Sequence, residues 1–137
     1  TRNVLEESAR ISRGEITEIR DVSPDDLDAL ILPGGFGAAK NLCTFAVDGA
    51  DCDVNDSLAS LIRGMVAARK PVGAMCIAPA AVAKAFQGTS FHPVLTIGTD
   101  AGTAGALEAM GATHKECTPA DIVVALGRSA AGKEGAR

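Results

Sequence analysis

The chain has no tryptophan, no tyrosine and only four phenylalanines, so aromatics make up 3% of its 137 residues. Binding single strands of nucleic acid by base stacking needs rings that are not there. The formal net charge of −4 argues the same way, because phosphate backbones are held by surplus lysine and arginine. Long apolar runs are also missing. No stretch approaches the ~18 residues of a membrane-spanning helix, and no secretory leader pattern opens the sequence. Neither nucleic acid nor a membrane is expected as a partner. Cys43, Cys52, Cys76 and Cys117 are too few and too irregularly spaced for a disulfide framework. None makes the C-x2-C spacing of a zinc site, and no metal is expected. Free thiols suit a reducing compartment: the cytoplasm, or the mitochondrial matrix if the source is a eukaryote.

What is present is aliphatic. Hydrophobic residues are 47% of the chain, enough for the core of one ordinary domain, built from alanine, valine, leucine and isoleucine. Ala29–Leu32 is a continuous apolar run stopped by Pro33-Gly34-Gly35-Phe36-Gly37, the pattern of a buried parallel strand with a glycine-rich loop at its carboxyl end. Leu58, Leu61, Ile62, Met65 and Val66 form the stripe of a helix lying on a sheet, with Asn55 or Asp53 as its cap. Val72–Met75 reads as a second buried strand, and Ile77–Phe86 as a helix ending near Gly88. Val94–Ile97 reads as a third strand, Thr103–Met110 as a helix capped by Gly111, and Ile122–Val124 as the start of a further strand. Thr1–Arg13 has an amphipathic helical pattern ended by Gly14. Glu15–Ile19 reads as an edge strand or a loop, Ser23–Leu27 as a turn with one capped helical turn, and Asn41–Gly49 as an irregular excursion. Ala125–Arg137 lacks apolar periodicity and reads as a solvated tail. Alternation of strand and helix predicts an α/β domain over residues 1–124, with a parallel sheet and right-handed crossovers.

The chemistry points to Cys76. The segment Lys70-Pro71-Val72-Gly73-Ala74-Met75-Cys76-Ile77-Ala78-Pro79-Ala80 reads as a strand that stops at a cysteine and turns at once into a helix. Small residues two before and two after the cysteine, Ala74 and Ala78, fit the crowding of a nucleophile elbow. A thiol there faces the crevice at the carboxyl end of the sheet, and a helix N-terminus favours thiolate. The plainer reading is a buried core cysteine, a common use of the residue. The backbone of Gly34 and Gly35, with the N–H of Ile77, is placed to form an oxyanion hole; taken alone, Pro33-Gly34-Gly35 is a tight turn. The loop lacks the spacings of a P-loop or a G-x-G-x-x-G motif. Lys40 is a candidate for greeting an anionic substrate, although a lone lysine is more often simply solvated. His92 and His114 are expected to lie away from the elbow, and Cys43, Cys52 and Cys117 to be packing or incidental thiols and not ligands.

Three stretches carry a resemblance. Pro33-Gly34-Gly35-Phe36-Gly37-Ala38-Ala39-Lys40-Asn41-Leu42, the elbow itself, and Leu95-Thr96-Ile97-Gly98-Thr99-Asp100 closely resemble the ElbB-like glyoxalases, the isoprenoid-biosynthesis-associated branch of the ThiJ/PfpI superfamily. The opening Thr1–Ile11 resembles them too. The resemblance implies a flavodoxin-like three-layer sandwich, with a mostly parallel sheet and helices on both faces, usually as a homodimer. It implies conversion of glyoxal to glycolate without a cofactor, with deglycation of glycated amines or thiols as the broader activity. Cys76 would be the nucleophile, Gly34, Gly35 and Ile77 would line the oxyanion site, and Asn41 the pocket wall. Relatives of this kind begin with a further strand and helix, which supply a glutamate that contacts the nucleophile, and continue past Val124 with another strand and helix. Elements are therefore expected to be missing at both ends. A redox-sensing or partner-binding member of the same fold is the non-enzymatic rival. A glutamine amidotransferase would need a His and a Glu close together late in the chain, and none is found.

Overall fold

The computed structural model describes residues 2–125. Most of the Ala125–Arg137 tail lies outside them, and Ala125 itself is in no regular element. Nine helices and strands follow in order: α1 (Val4–Ser12), β1 (Leu30–Leu32), α2 (Phe45–Asp48), α3 (Asp56–Ala67), β2 (Val72–Ala74), α4 (Pro79–Phe86), β3 (Val94–Leu95), α5 (Ala101–Ala109) and β4 (Thr113–His114). Short 3-10 turns lie at Ile19–Asp21, Pro24–Asp26 and Gly49–Asp51, and a π-helical turn at Ala38–Leu42.

The strands pair in parallel. β1 lies beside β2 with Leu30 opposite Val72 and Leu32 opposite Ala74, and β3 lies beside β4 with Val94 opposite Thr113. Each parallel partner is reached through a helix, as the alternating pattern predicts. Leu30, Leu32 and Ala74 turn to one side of the β1–β2 pair and join the core. That core is built on α3 and α4, whose Leu58, Ile62, Ala80, Ala81, Ala83 and Ala85 are buried. Alanine on the facing side of α4 lets α3 come close; two of the four phenylalanines, Phe86 and Phe91, meet in a tilted pair with ring centroids 4.5 Å apart.

Local signals set the helix starts. The Asn55 side chain accepts from the N–H of Leu58 at 3.0 Å and caps α3. Asp100 caps α5 by accepting from the N–H of Thr103 at 2.8 Å. Hydrogen bonds from Thr103, its side chain first and then its backbone, hold the Asp100 carboxyl below the usual carboxylate range. Ser23 and Asp26 form a reciprocal capping box on Pro24–Asp26. Lys70 then secures that turn, donating from Nζ to the carbonyls of Pro24 (2.7 Å) and Leu27 (2.8 Å).

Several expectations are corrected. α1 ends on Arg13 in the left-handed region (φ 56°), one residue before the expected Gly14. Of the two readings of Glu15–Ile19 the loop holds and the edge strand does not: residues 15–18 are irregular and a 3-10 turn begins at Ile19. Asn41–Gly49 is not irregular: it carries the end of the π-helical turn, then α2, and Cys43 forms an isolated antiparallel bridge with Val54. α4 starts at Pro79, two residues after Ile77, because proline suits the first helical turn. The predicted helix at Thr103 starts two residues earlier, directly after its Asp100 cap. Ile122–Val124 forms no strand, and Ile122 and Val124 lie exposed with nothing described beside them to pair with. β4 went unpredicted because two residues hold too little pattern to read.

Candidate active site

Cys76 sits between β2 and α4 in the left-handed region, with φ 58°. For a residue with a Cβ this conformation costs roughly 1–2 kcal/mol and marks a tightly determined position. Cys76 is exposed, so its reading as a buried packing residue does not hold. The N–H of Met75 donates to the Leu32 carbonyl at 3.1 Å, tying the end of β2 to the end of β1 immediately before the turn. Ala78 is fully buried beneath it, and its N–H donates back to the Met75 carbonyl at 3.0 Å. A larger side chain at Ala78 would have no room, which is the physical content of the small-residue rule at an elbow.

The glycine loop reaches this turn. An ideal Cβ built on Gly34 would lie 2.5 Å from the Cys76 Cβ, 2.7 Å from the Met75 carbonyl oxygen and 3.3 Å from the Cys76 Sγ. Gly34 is therefore fitted against the cysteine itself, a packing duty that the sequence reading did not assign to it. Gly35 follows with φ 91°, a conformation that favours glycine, and has open space where a Cβ would be. Among the described residues, the N–H groups of Gly35 and Ile77 donate to no protein acceptor. They are two free donors, one on each side of the cysteine in the sequence pattern. Asn41 lies in the π-helical turn, and its Nδ2 would be 3.6 Å from a Cβ at Gly37, so it packs along the same loop. Lys40 stands 4.5 Å over the ring of Phe36, which is itself 69% exposed.

Other candidates fall elsewhere. His92 Nδ1 lies 2.8 Å from the Gly111 carbonyl, and His114 Nε2 lies 3.4 Å from the Ile97 N–H. Neither is bonded to Cys76. Two shallow surface depressions are lined without the cysteine: one runs past Arg20, Asp56 and Ser60, the other past Thr99, Glu108 and His114. Strand end, left-handed turn, exposed cysteine and fitted glycine coincide instead at the elbow. No group of three or more His, Cys, Asp or Glu side chains able to hold a metal occurs among the described residues. Cys43 and Cys52 are buried, as expected of packing residues, and Cys117 is half-buried. The Cys52 Sγ lies 3.9 Å from the Met110 Sδ. Burial, and secondarily the nearby Cys43, push the Cys52 thiol up to about 11.

Alternating helices and parallel strands give the chain a flavodoxin-like fold, which a solved structure shares. Known proteins agree. A solved structure from Ehrlichia chaffeensis, an isoprenoid biosynthesis protein with an amidotransferase-like domain, superposes with a TM-score of 0.71 at 34% identity, over 85% of this chain and 51% of that one. The rat ES1 protein homolog, mitochondrial, is 48% identical over 123 residues, covering 83% of this chain and 45% of the relative. The human glutamine amidotransferase-like class 1 domain-containing protein 3, mitochondrial, is 47% identical over 133 residues, covering 89% of this chain and 48% of the relative. No family model matches the chain. The chain spans about half the length of the curated relatives it matches. These likenesses support the ThiJ/PfpI-like superfamily and do not single out its ElbB-like glyoxalase branch.

Proposed function

We propose that Cys76 is the nucleophile of a cofactor-independent glyoxalase that converts glyoxal to glycolate. The observation that carries this reading is the elbow: an exposed cysteine at φ 58°, followed directly by the free N–H of Ile77. The sulfur adds to one carbonyl carbon of glyoxal, and the carbonyl oxygen becomes the hydroxyl of a hemithioacetal. Donors at Gly35 and Ile77 meet the charge that develops on that oxygen. A base then takes the C–H proton of the hemithioacetal carbon, and the neighbouring aldehyde carbon receives a proton in return. The product is a glycolyl thioester, and water releases glycolate and the free thiol. Glyoxal plus water thus gives glycolic acid, with no external oxidant. The resemblance implies a glutamate as that base. The same addition to a glycated amine or thiol would be deglycation.

Two of the relatives are mitochondrial by name, which favours the mitochondrial matrix over the cytoplasm as the site of action. Labelling with iodoacetamide tests the nucleophile: glyoxal should protect Cys76 selectively, as mapped by peptide mass spectrometry. Equal labelling with and without glyoxal contradicts the proposal. The exposure of Cys76 allows one second reading, a redox-sensing thiol. Peroxide titration separates the two, since a sensor requires Cys76 to reach the sulfenic state well before Cys117.

A further inference from the structure

The segments that build the elbow carry no acidic residue. None of the 17 Asp and Glu falls within residues 29–47 or 57–99. Those stretches hold β1 and the glycine loop, then most of α3, all of β2, the elbow and α4. Their cations are Lys40, Arg63, Arg69, Lys70 and Lys84, so they are positive in a chain of net charge −4. Four of these five are engaged or remote. Arg63 donates to the Ala85 carbonyl at 2.8 Å, Lys70 to those of Pro24 and Leu27, and Lys84 to the Gln87 side chain at 2.6 Å. Arg69 lies at the opposite end of β2 from Cys76. Lys40 differs. It is exposed, its ammonium stands 4.5 Å over the Phe36 ring, and among the described residues it makes no ion pair. Along this one loop, Gly34 is fitted against Cys76, Gly35 has a free N–H, and Phe36 follows with the cation on its ring.

We infer that Lys40, held on Phe36, is a specificity-determining residue of the Cys76 site, receiving the carboxylate of a substrate whose aldehyde carbon the sulfur attacks. This deepens the proposed function and rests on Cys76 being its nucleophile. The site then takes aldehydes that carry a carboxylate in preference to uncharged aldehydes of the same length. A lysine ammonium is a point charge on a flexible stem. Packing over a ring restrains that stem, so less rotamer freedom is lost when an anion binds. The order along the loop sets the substrate's direction: carbonyl oxygen toward the Gly35 N–H, carboxylate toward Lys40.

The test uses the 137-residue chain. Iodoacetate and iodoacetamide alkylate a thiol by the same step, in which a C–S bond forms and iodide leaves. They differ in charge, so the ratio of their rates at Cys76, divided by that ratio for a small neutral thiol, reads the field at the sulfur. Peptide mass spectrometry separates Cys76 from the other cysteines. At low salt K40Q should lower this ratio at least about threefold, and about 1 M salt should remove the difference. R69Q, which deletes an exposed charge at the far end of β2, should leave the ratio within about 1.5-fold. F36L, which removes the ring, should give an intermediate ratio. Succinic semialdehyde and butyraldehyde have equal length and differ by a carboxylate. The first should protect Cys76 from iodoacetamide at a concentration at least about threefold lower, and K40Q should erase that advantage. A rate ratio unchanged in K40Q overturns the inference, since any preference for anions would then belong to the backbone donors. A fall in R69Q as large as in K40Q overturns it too, because net charge and not Lys40 would be responsible. Failure of glyoxal to protect Cys76, with the K40Q effect present, sinks the glyoxalase reading alone. A Cys76 that neither reagent alkylates sinks both.

Discussion

Gly34 and Cys76 are in contact through the space where a Gly34 side chain would be: an added Cβ would lie 2.5 Å from the cysteine Cβ. The glycine loop after β1 and the elbow after β2 are thus one fitted unit. The Met75–Leu32 hydrogen bond draws the strand ends together, and only glycine at position 34 permits the approach.

Gly34→Ala is therefore expected to displace the elbow. The clash is with a Cβ and a backbone oxygen, neither of which can swing aside, so the cost should be about 1–3 kcal/mol, as for overpacking. Chemical denaturation reads the stability, and the rate of iodoacetamide labelling at Cys76 should change in the same variant. Gly35→Ala should also destabilise, through its φ of 91° and without a clash. Labelling at Cys76 unaltered in Gly34→Ala would contradict the contact.

Cys52 makes stability fall in alkali. Its thiol is raised to about 11 in the folded chain, mainly by burial, against an unfolded value near 8.5. The folded state holds this proton more tightly, so the contribution is complete below about pH 8.5 and is lost as pH rises toward 11. Thermal unfolding measured from pH 8 to 11 should show a Tm that declines more steeply in the wild type than in Cys52→Ala. The variant itself starts lower, because it leaves a small cavity beside Met110. Equal slopes would show that the Cys52 proton is not linked to folding.

Lys70 holds the Pro24–Asp26 turn against the start of β2. Lys70→Met keeps the aliphatic stem and removes both hydrogen bonds to the Pro24 and Leu27 carbonyls. The expected loss is roughly 1–3 kcal/mol, the range for a charged donor leaving partly buried acceptors. Gly64→Ala attacks the same packing from the helix side, since a Cβ there would lie 2.5 Å from the Pro24 Cγ. Urea midpoints for the two variants measure this, and both should fall.

Much of this was legible from residue order. Leu58, Leu61, Ile62 and Met65 announced α3 because helical burial repeats with the helical period, and all four are buried. The run ending in Pro33-Gly34-Gly35 announced β1, and Ala74 and Ala78 around Cys76 announced the elbow. The failures have physical causes. The π-helical turn at Ala38–Leu42 and the Cys43–Val54 bridge depend on contacts across a loop, which no local period records. Ile122–Val124 has strand-forming residues, but a strand exists only where a partner lies alongside. The sequence presents Gly34 as a ligand-facing donor; that its missing side chain makes room for Cys76 is a three-dimensional fact, visible only once β1 and β2 are side by side.

The most direct measurement is glycolate released from glyoxal by the wild-type chain and by Cys76→Ala, assayed in parallel at equal concentration. The account predicts glycolate formation by the wild type and its loss to the uncatalysed background in Cys76→Ala, with the variant's fold retained by circular dichroism. Equal glycolate from the two proteins would contradict it.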